Sequence, residues 1–283
     1  MIEQPRIISA SRRTDLPAFH SRWFIERIRQ GWCEVANPFN AKQVRRVSLL
    51  PQDVDGIVFW TRNAAPLMPH LHELDDRGIP YYFLWTITGY PEAIEPRAPQ
   101  TQAAIGSFCE LAGRIGPHRV IWRYDPVILT DVTPATWHEE NYAGLCGLLQ
   151  NATERCVISF VEPYAKTRKA LAALAQNGIQ TTLPGEHAKL QMANQFAAVA
   201  QQHAIALQTC CTPATGKNAS PKTSSAALAG PCVDAVLLEC IAGKTVANVS
   251  DRNQRQHCLC AKSIDIGRYG TCRFGCVYCY ARR

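Results

Sequence analysis

The sequence predicts an α/β fold in which six parallel βα units form a partial or complete barrel. Three observations support it: short apolar runs, helix-like segments between them, and polar residues where the runs end. The runs are rich in β-branched and aromatic residues and have the length of strands buried on both faces. They occupy residues 6–11, 55–63, 79–90, 118–126, 155–163 and 204–210.

The helix-like segments carry residues typical of helix ends. Asp15 and Pro17 begin the first segment and Gly31 ends it, whereas Thr133 begins the fourth and Gly178 ends the fifth. Alternation of strands and helices predicts a parallel sheet. The segments cover residues 17–31, 66–78, 100–117, 133–151, 164–178 and 185–203.

A doubly wound open sheet is the competing architecture for the same pattern. No G-x-G-x-x-G follows the first run and no P-loop is present. These absences disfavour dinucleotide and nucleoside-triphosphate binding.

Polar residues follow the apolar runs, at the strand ends that form the active-site mouth of a βα barrel. Arg12, Arg123, Asp125 and Glu162 are the candidate catalytic residues, because a charge beside a buried strand end is costly without a partner. Thr61 and Thr86 are candidate cofactor-binding residues at equivalent positions. The alternative is that some of these polar side chains only cap the next helix, as predicted for Asp15 and Thr133.

Composition limits the compartment and the partners. No apolar run approaches bilayer length and no signal-peptide pattern is present, so we expect a cytoplasmic protein without a membrane partner. The formal net charge of +7 is compatible with nucleic acid or a phosphorylated substrate. A solvated, arginine-rich surface explains the same charge.

The 13 cysteines are unevenly distributed, with nine of them between residues 210 and 279. Cytosolic thiols stay reduced, so metal binding is a better explanation than a disulfide framework. Cys33, Cys109, Cys146 and Cys156 are expected to be small buried hydrophobic residues. We therefore divide the chain into a barrel-like body, residues 1–209, and a metal-binding tail over the barrel mouth, residues 210–283.

The tail offers two groups of candidate metal ligands. Cys272, Cys276 and Cys279 supply three thiolates, whereas a 4Fe–4S cluster usually takes four, so one iron would remain open. A second cluster is predicted on four further cysteines, with Cys211 as a substitute for the first of them. These four are Cys210, Cys232, Cys258 and Cys260. Zinc held by the 276/279 and 258/260 pairs, or simply buried thiols, are the alternatives.

The string "YGTCRFGCVYCYAR" resembles the cluster-binding loop of radical S-adenosylmethionine (SAM) enzymes, in particular the branch that includes spore photoproduct lyase. The whole chain also resembles a bacterial family of unknown function that carries this loop at its C-terminus. That second resemblance rests on "IISASRRTDLPAF", "VFWTRN", "WRYDP", "CVD" and C-x-C-x2-S-x-DIG-x-Y.

The resemblance implies a 4Fe–4S cluster on the three loop cysteines and SAM on the open iron. It implies reductive cleavage of SAM to a 5′-deoxyadenosyl radical that abstracts hydrogen from a substrate. By analogy Tyr278 lies beside the adenine of SAM, chiefly through its backbone. A reductant such as a flavodoxin or ferredoxin is expected, and the substrate is a small molecule, a peptide or a nucleic acid.

The chain departs from the radical SAM pattern in two respects. The loop follows all six predicted strands instead of the first, so we expect a permuted arrangement in which the tail folds back. No Gly-Gly-Glu follows a strand to grip the methionine moiety. A non-catalytic iron–sulfur or zinc protein, with the tail as a structural or partner-binding module, is the second hypothesis.

Overall fold

The computed structural model describes residues 6–40, 42–162, 164–211, 226–251 and 254–282. The strands are β1 (Arg6–Ala10), β2 (Trp32–Ala36), β3 (Val44–Ser48), β4 (Val54–Thr61), β5 (Tyr81–Thr86), β6 (Val120–Val127), β7 (Leu129–Thr130), β8 (Arg155–Phe160), β9 (Thr181–Thr182), β10 (Ala206–Thr209), β11 (Leu228–Ala229) and β12 (Ser263–Asp265). The α-helices are α1 (Leu16–Phe19), α2 (Ser21–Gln30), α3 (His72–Asp75), α4 (Thr101–Ile115), α5 (Ala135–Leu149), α6 (Ala165–Gln176), α7 (Glu186–Gln202) and α8 (Ala235–Ala242).

Eight strands form one central sheet in the order β11-β10-β8-β6-β5-β4-β1-β12, and every pairing in it is parallel. Six of these strands are the predicted apolar runs, so the α/β class is confirmed. The six follow one another in chain order, without the reversal that defines a doubly wound sheet. Within the described residues β11 and β12 do not pair with each other, and the sheet stays open there.

The two outer strands come from the cysteine-rich part of the chain. β11 pairs with β10, where Gln208 lies opposite Leu228, and β12 pairs with β1, where Ser9 lies opposite Asp265. Strands of two and three residues are too short for a periodic signal, so the sequence pattern did not predict them. The segment after β10 thus extends the sheet at both edges.

One face of the sheet packs against α2, α4, α5 and α7. Successive strand residues point to opposite faces, so Phe59, Phe83 and Trp122 share this side. They join Phe108 of α4 and Phe196 of α7 in one buried core. The helices of this core lie on a single face, as in a βα barrel.

The opposite face packs against the C-terminal segment. Val58, Tyr82 and Val157 of the sheet contact a second core that includes Leu238 of α8 and several cysteine side chains. The helix comes closest at Gly56 of β4, where a β-carbon would overlap the Leu238 side chain. The tail therefore occupies the sheet face that the other helices leave uncovered.

Gly56→Ala is expected to lower the free energy of unfolding by about 1–3 kcal/mol, because an added methyl overpacks a full core. Urea denaturation of both proteins measures the difference. Gly106→Ala is the matched control, since nothing lies within 4 Å of a β-carbon there and α4 is exposed at that point. Equal losses in the two variants would contradict close packing of α8 on the sheet.

Two local expectations were wrong, and one hairpin was not predicted. Gly31 ends α2 as expected, and Trp32 begins β2 of the hairpin. Residues 66–78 form only the 3₁₀ helix Met68–His70 and the short α3. Thr133 does not cap α5, because its hydroxyl donates to the Ile128 carbonyl at 3.0 Å and Pro134 is the N-cap residue.

No helix within the described ranges is long and apolar enough to cross a membrane.

Candidate functional site

The junction between β1 and β12 positions the Arg12 backbone. The Asp265 carboxylate accepts hydrogen bonds from Ser9 Oγ (3.0 Å), Ser11 Oγ (2.7 Å) and the Arg12 amide (2.7 Å). The Gly267 amide donates a fourth bond at 2.9 Å. The "SASRR" and "DIG" strings thus meet in space, and they hold the chain that follows β1 at the edge of the sheet.

The three-cysteine loop, residues 270–282, lies against segments at the carboxyl ends of the parallel strands. Three segments hold it: the turn after β1, the loop after β5, and α6. The contacts are Thr271 Oγ1 to Thr14 Oγ1 (2.9 Å), Tyr280 Oη to the Arg12 carbonyl (3.0 Å), Val277 N to the Ile94 carbonyl (3.0 Å), Arg97 Nε to the Arg273 carbonyl (2.5 Å) and Lys166 Nζ to the Arg282 carbonyl (2.8 Å).

A buried ion pair lies beneath this loop. Arg62 donates to both oxygens of Glu95, at 2.7 and 2.6 Å, and the two side chains are only 10% and 3% exposed. The Tyr278 hydroxyl contacts both members of the pair, and Thr88 Oγ1 donates to Glu95 at 2.8 Å. Burial alone would lower the pKa of Arg62, but the Glu95 carboxylate together with Tyr278 and Cys276 outweighs burial and raises that pKa.

The three loop thiols are shielded from solvent to different degrees. Cys276 is buried, whereas Cys272 and Cys279 are half-buried. Burial raises the pKa of all three thiols, to about 12 for Cys272. Since a metal binds the thiolate, occupation of this loop would release protons.

The glycine before the middle cysteine is required by the shape of the loop. Gly275 has a φ of 74°, in the left-handed region that favours glycine. A β-carbon at this position would lie 2.5 Å from Arg97 Nη2. A larger residue would displace Arg97 and loosen one anchor of the loop.

Five further thiols form a ring on the face of the sheet covered by the tail. We call Cys210, Cys211, Cys232, Cys258 and Cys260 the five-thiol group. The Sγ atoms of Cys210 and Cys211 are 3.5 Å apart. Each of the five thiols interacts electrostatically with two neighbours, in the order Cys210, Cys211, Cys258, Cys260, Cys232 and back to Cys210.

Two members of this ring favour the thiolate. The pKa values of Cys210 and Cys260 lie below the usual range because each accepts hydrogen bonds from two neighbouring thiols. Cys260 Sγ also accepts the amides of Cys232 and Val233, both at 3.3 Å. Arg255 Nη2 lies 3.9 Å from Cys210 Sγ. Thiolates are the ligand form that metals require.

The sequence left Cys210 and Cys211 as alternatives, and the structure brings both into the ring. The structure also places Cys258 and Cys260 beside Cys211 and Cys232. The zinc alternative would instead pair Cys258 and Cys260 with two cysteines of the three-cysteine loop. Among the described residues, no three His, Cys, Asp or Glu side chains are arranged to hold a metal ion.

Arg123 and Asp125 are adjacent on the sheet face that carries the five-thiol group. Arg123 Nη2 donates to one Asp125 oxygen, and Ser159 Oγ donates to the other. The guanidinium carbons of Arg123 and Arg12 lie 4.8 and 5.1 Å from the centre of the Trp60 ring. Three of the four predicted catalytic residues therefore meet around Trp60.

The fourth, Glu162, is set apart from this cluster. Its side chain is 42% exposed and lies 3.9 Å from Arg255, next to the five-thiol group. Thr61 also points elsewhere, since its hydroxyl donates to Asp15 at 2.8 Å. Thr86 lines a cavity of about 450 Å³ that is bordered by Arg62, Thr88 and Glu95.

This geometry can be set beside known proteins. A family model described as "Domain of unknown function (DUF1848)" matches residues 7–281. The chain belongs to the DUF1848 family. The match covers the central sheet except Arg6 and both groups of thiols of this DUF1848 protein, and it confirms the predicted resemblance to a family of unknown function.

The other comparisons add little about the DUF1848 protein. A comparison with curated proteins finds no match. Among solved structures, it is similar to a D-hydantoinase from a Bacillus species (AR9), with a TM-score of 0.31 and 10% sequence identity. The similar region covers 56% of this chain and 35% of the hydantoinase.

Three parts of the site in this DUF1848 protein escaped prediction from sequence. Glu95 lies in a proline-rich loop without periodicity, and Asp265 lies more than 250 residues from its partners. Trp60 was assigned only to a strand. Its place at the end of an apolar run, two residues before Arg62, was the available signal.

Asp15 makes the stability of the DUF1848 protein dependent on pH. Burial raises the pKa of this carboxyl from 3.8 to about 6, against hydrogen bonds that lower it. The native state therefore holds a proton more tightly than the unfolded state between these values. The contribution of Asp15 to the free energy of unfolding is greatest below pH 4. Up to about 3 kcal/mol of it is lost as pH rises through 6.

Unfolding free energies measured in urea between pH 4 and 7.5 test this expectation. Asp15→Asn should remove that part of the pH dependence, whatever it does to absolute stability. Asp76→Asn, at an exposed carboxylate, is the control. Parallel pH curves for wild type and Asp15→Asn would contradict the expectation.

Proposed function

We propose that this protein is a radical SAM-type enzyme in which Cys272, Cys276 and Cys279 hold a 4Fe–4S cluster. One observation carries the proposal: the three thiols lie at the carboxyl ends of a parallel sheet, on a loop anchored through the Arg62–Glu95 pair. Ligands of parallel α/β folds bind at this end of the sheet. A purely structural metal site would not need that position.

The thiolates of the three loop cysteines are suitable ligands for a 4Fe–4S cluster. Iron–sulfur clusters take thiolates, and a cluster of several ions spaces its ligands more widely than one ion does. When bound, the cluster and SAM would supply reductive cleavage of SAM to a 5′-deoxyadenosyl radical, which takes hydrogen from the substrate. The residues of the chain would bind and orient SAM and the substrate, and they would exclude water from the site.

We assign the residues of the chain to these tasks by their contacts. Thr86 lines the cavity next to the Arg62–Glu95 pair, and the Tyr278 hydroxyl contacts that pair, so both residues would contact SAM. Thr61 would act through Asp15, which caps α1 beside the loop. Arg12, Arg123 and Asp125 would orient substrate, and Glu162 would act near the five-thiol group.

Four members of the five-thiol group would hold a second 4Fe–4S cluster. The buried ring of thiols, with two members that favour the thiolate, supports this part of the proposal. A flavodoxin or ferredoxin would deliver electrons. A metal that only fastens the tail to the sheet is the second candidate function, because the ring is already braced by Arg255 and backbone amides.

Anaerobic reconstitution tests the proposal. Protein purified without oxygen is supplied with iron and sulfide, and iron per chain is counted; dithionite and SAM are then added. About eight irons together with 5′-deoxyadenosine would support two clusters and SAM cleavage. Zinc in place of iron, with no SAM cleavage, would leave the metal-fastened alternative.

A further inference from the structure

Three buried nitrogen atoms at Trp60 and its two neighbouring arginines lack a hydrogen-bond partner among the described residues. They are Arg12 Nη2, Arg123 Nε and Trp60 Nε1. All three atoms are donors. Buried donors are normally satisfied, because leaving one unpaired destabilises the fold. Their presence in one place indicates that an acceptor from outside the chain completes them.

The three side chains form one cluster. The guanidinium carbons of Arg12 and Arg123 lie 5.1 and 4.8 Å from the centre of the Trp60 ring, within the range of cation–π contact. Trp60 packs with the core on the tail-covered face of the sheet. The donors are therefore carried by a rigid strand and its immediate neighbours.

The nearby carboxylates are already engaged. One Asp125 oxygen accepts from Arg123 Nη2 and the other accepts from Ser159. Asp265 accepts from two serine hydroxyls, the Arg12 amide and the Gly267 amide. Only Arg123 therefore pairs directly with Asp125, whereas the Arg12 guanidinium lies in the electrostatic field of Cys260 and Asp265.

The cluster lies between the two groups of thiols. On one side Tyr280, the residue after Cys279, donates to the Arg12 carbonyl at 3.0 Å. On the other side the Arg12 guanidinium interacts electrostatically with Cys232 and Cys260. A ligand bound to Arg12, Arg123 and Trp60 would be close to both proposed iron–sulfur clusters.

We propose that Arg12, Arg123 and Trp60 bind an oxyanion, a carboxylate or a phosphate, carried by the substrate. A guanidinium group matches the geometry of either oxyanion, and the indole N–H adds a third donor. The same donors repel a cationic ligand and offer nothing to a purely apolar one. The inference rests on the proposed function in one respect, namely that the bound anion belongs to the substrate of the SAM reaction.

Anion binding is measured on the reconstituted full-length chain without SAM or dithionite. The probes are inorganic phosphate and succinate, followed by equilibrium dialysis and tryptophan fluorescence. We expect saturable binding of one anion per chain, weakened at least tenfold by Arg12→Gln and by Arg123→Gln. The tighter probe identifies the substrate oxyanion as phosphate or carboxylate.

Two further variants provide a matched control and a separate test of the Trp60 N–H donor. Arg22→Gln is the matched control, because Arg22 is 94% exposed, and it should bind like wild type. Trp60→Phe keeps an aromatic ring in the core but removes the N–H donor, so it should weaken binding a few-fold even if an arginine variant fails to fold. Thermal unfolding of each variant identifies such a failure.

The outcomes separate this inference from the proposed function. The oxyanion site is overturned, even where SAM is cleaved, if neither probe binds the wild-type protein. It is also overturned if Arg12→Gln, Arg123→Gln and Trp60→Phe all bind the probes as tightly as wild type does. Binding that depends on the arginines supports the site even if SAM is not cleaved, in which case the proposed enzyme chemistry fails alone.

Discussion

Replacement of Cys272, Cys276 and Cys279 by alanine is expected to abolish formation of 5′-deoxyadenosine from SAM. Iron in the reconstituted protein should fall from about eight to about four per chain, because one cubane loses all its protein ligands. Iron analysis and chromatographic detection of 5′-deoxyadenosine measure the two effects.

Cys240→Ala is the matched control for this experiment. Cys240 is an exposed thiol on α8, outside both thiol groups, and its loss should change neither iron content nor SAM cleavage. Full iron content in the triple variant would contradict the assignment of the loop cysteines. If the triple variant has half the iron but cleaves SAM as fast as wild type, SAM cleavage must take place at the five-thiol group.

Arg62→Met is expected to lower the free energy of unfolding by about 3–5 kcal/mol. It leaves the Glu95 carboxylate buried without its guanidinium partner, and an uncompensated buried charge is costly. The double variant Arg62→Met/Glu95→Leu should recover most of that loss, because no unpaired charge remains. Urea denaturation at pH 7 of the single and double variants measures both values.

The same substitution should loosen the three-cysteine loop. Tyr278 loses one of its two buried partners, so proteolysis within residues 270–282 should become faster. Arg22→Met removes an exposed pair with Glu26 and should cost no more than about 1 kcal/mol. Equal stability of Arg62→Met and Arg22→Met would mean that the Arg62–Glu95 pair does not support the fold.

The alternation of apolar runs and helical segments was enough to predict the six inner strands and the α/β class. Strands buried on both faces need continuous apolar sequence, and this requirement is visible residue by residue. The convergence of Arg12, Arg123 and Asp125 was predictable for a related reason. Parallel strands place their carboxyl ends at one edge, so polar residues that follow different strands come together.

The candidate site as a whole was only partly predictable. Cys272, Cys276 and Cys279 are close in sequence, so their spacing alone identified them as one group of ligands. Glu162 and Thr61 were selected by the same rule as Arg12. The structure directs them to Arg255 and Asp15 instead, because the position of a residue at a strand end does not determine which way its side chain turns.

Sequence by itself thus determined the six inner strands, their parallel sheet and the local set of three thiols, since each depends on residues near one another in the chain. Tertiary structure alone decided the Arg62–Glu95–Tyr278 contact, the hydrogen bonds that Ser9 and Ser11 donate to Asp265, and the inclusion of Cys211 in the thiol ring. These contacts join segments up to 256 residues apart. Periodicity and spacing carry no information about such pairs, because they form only when the tail folds back on the sheet.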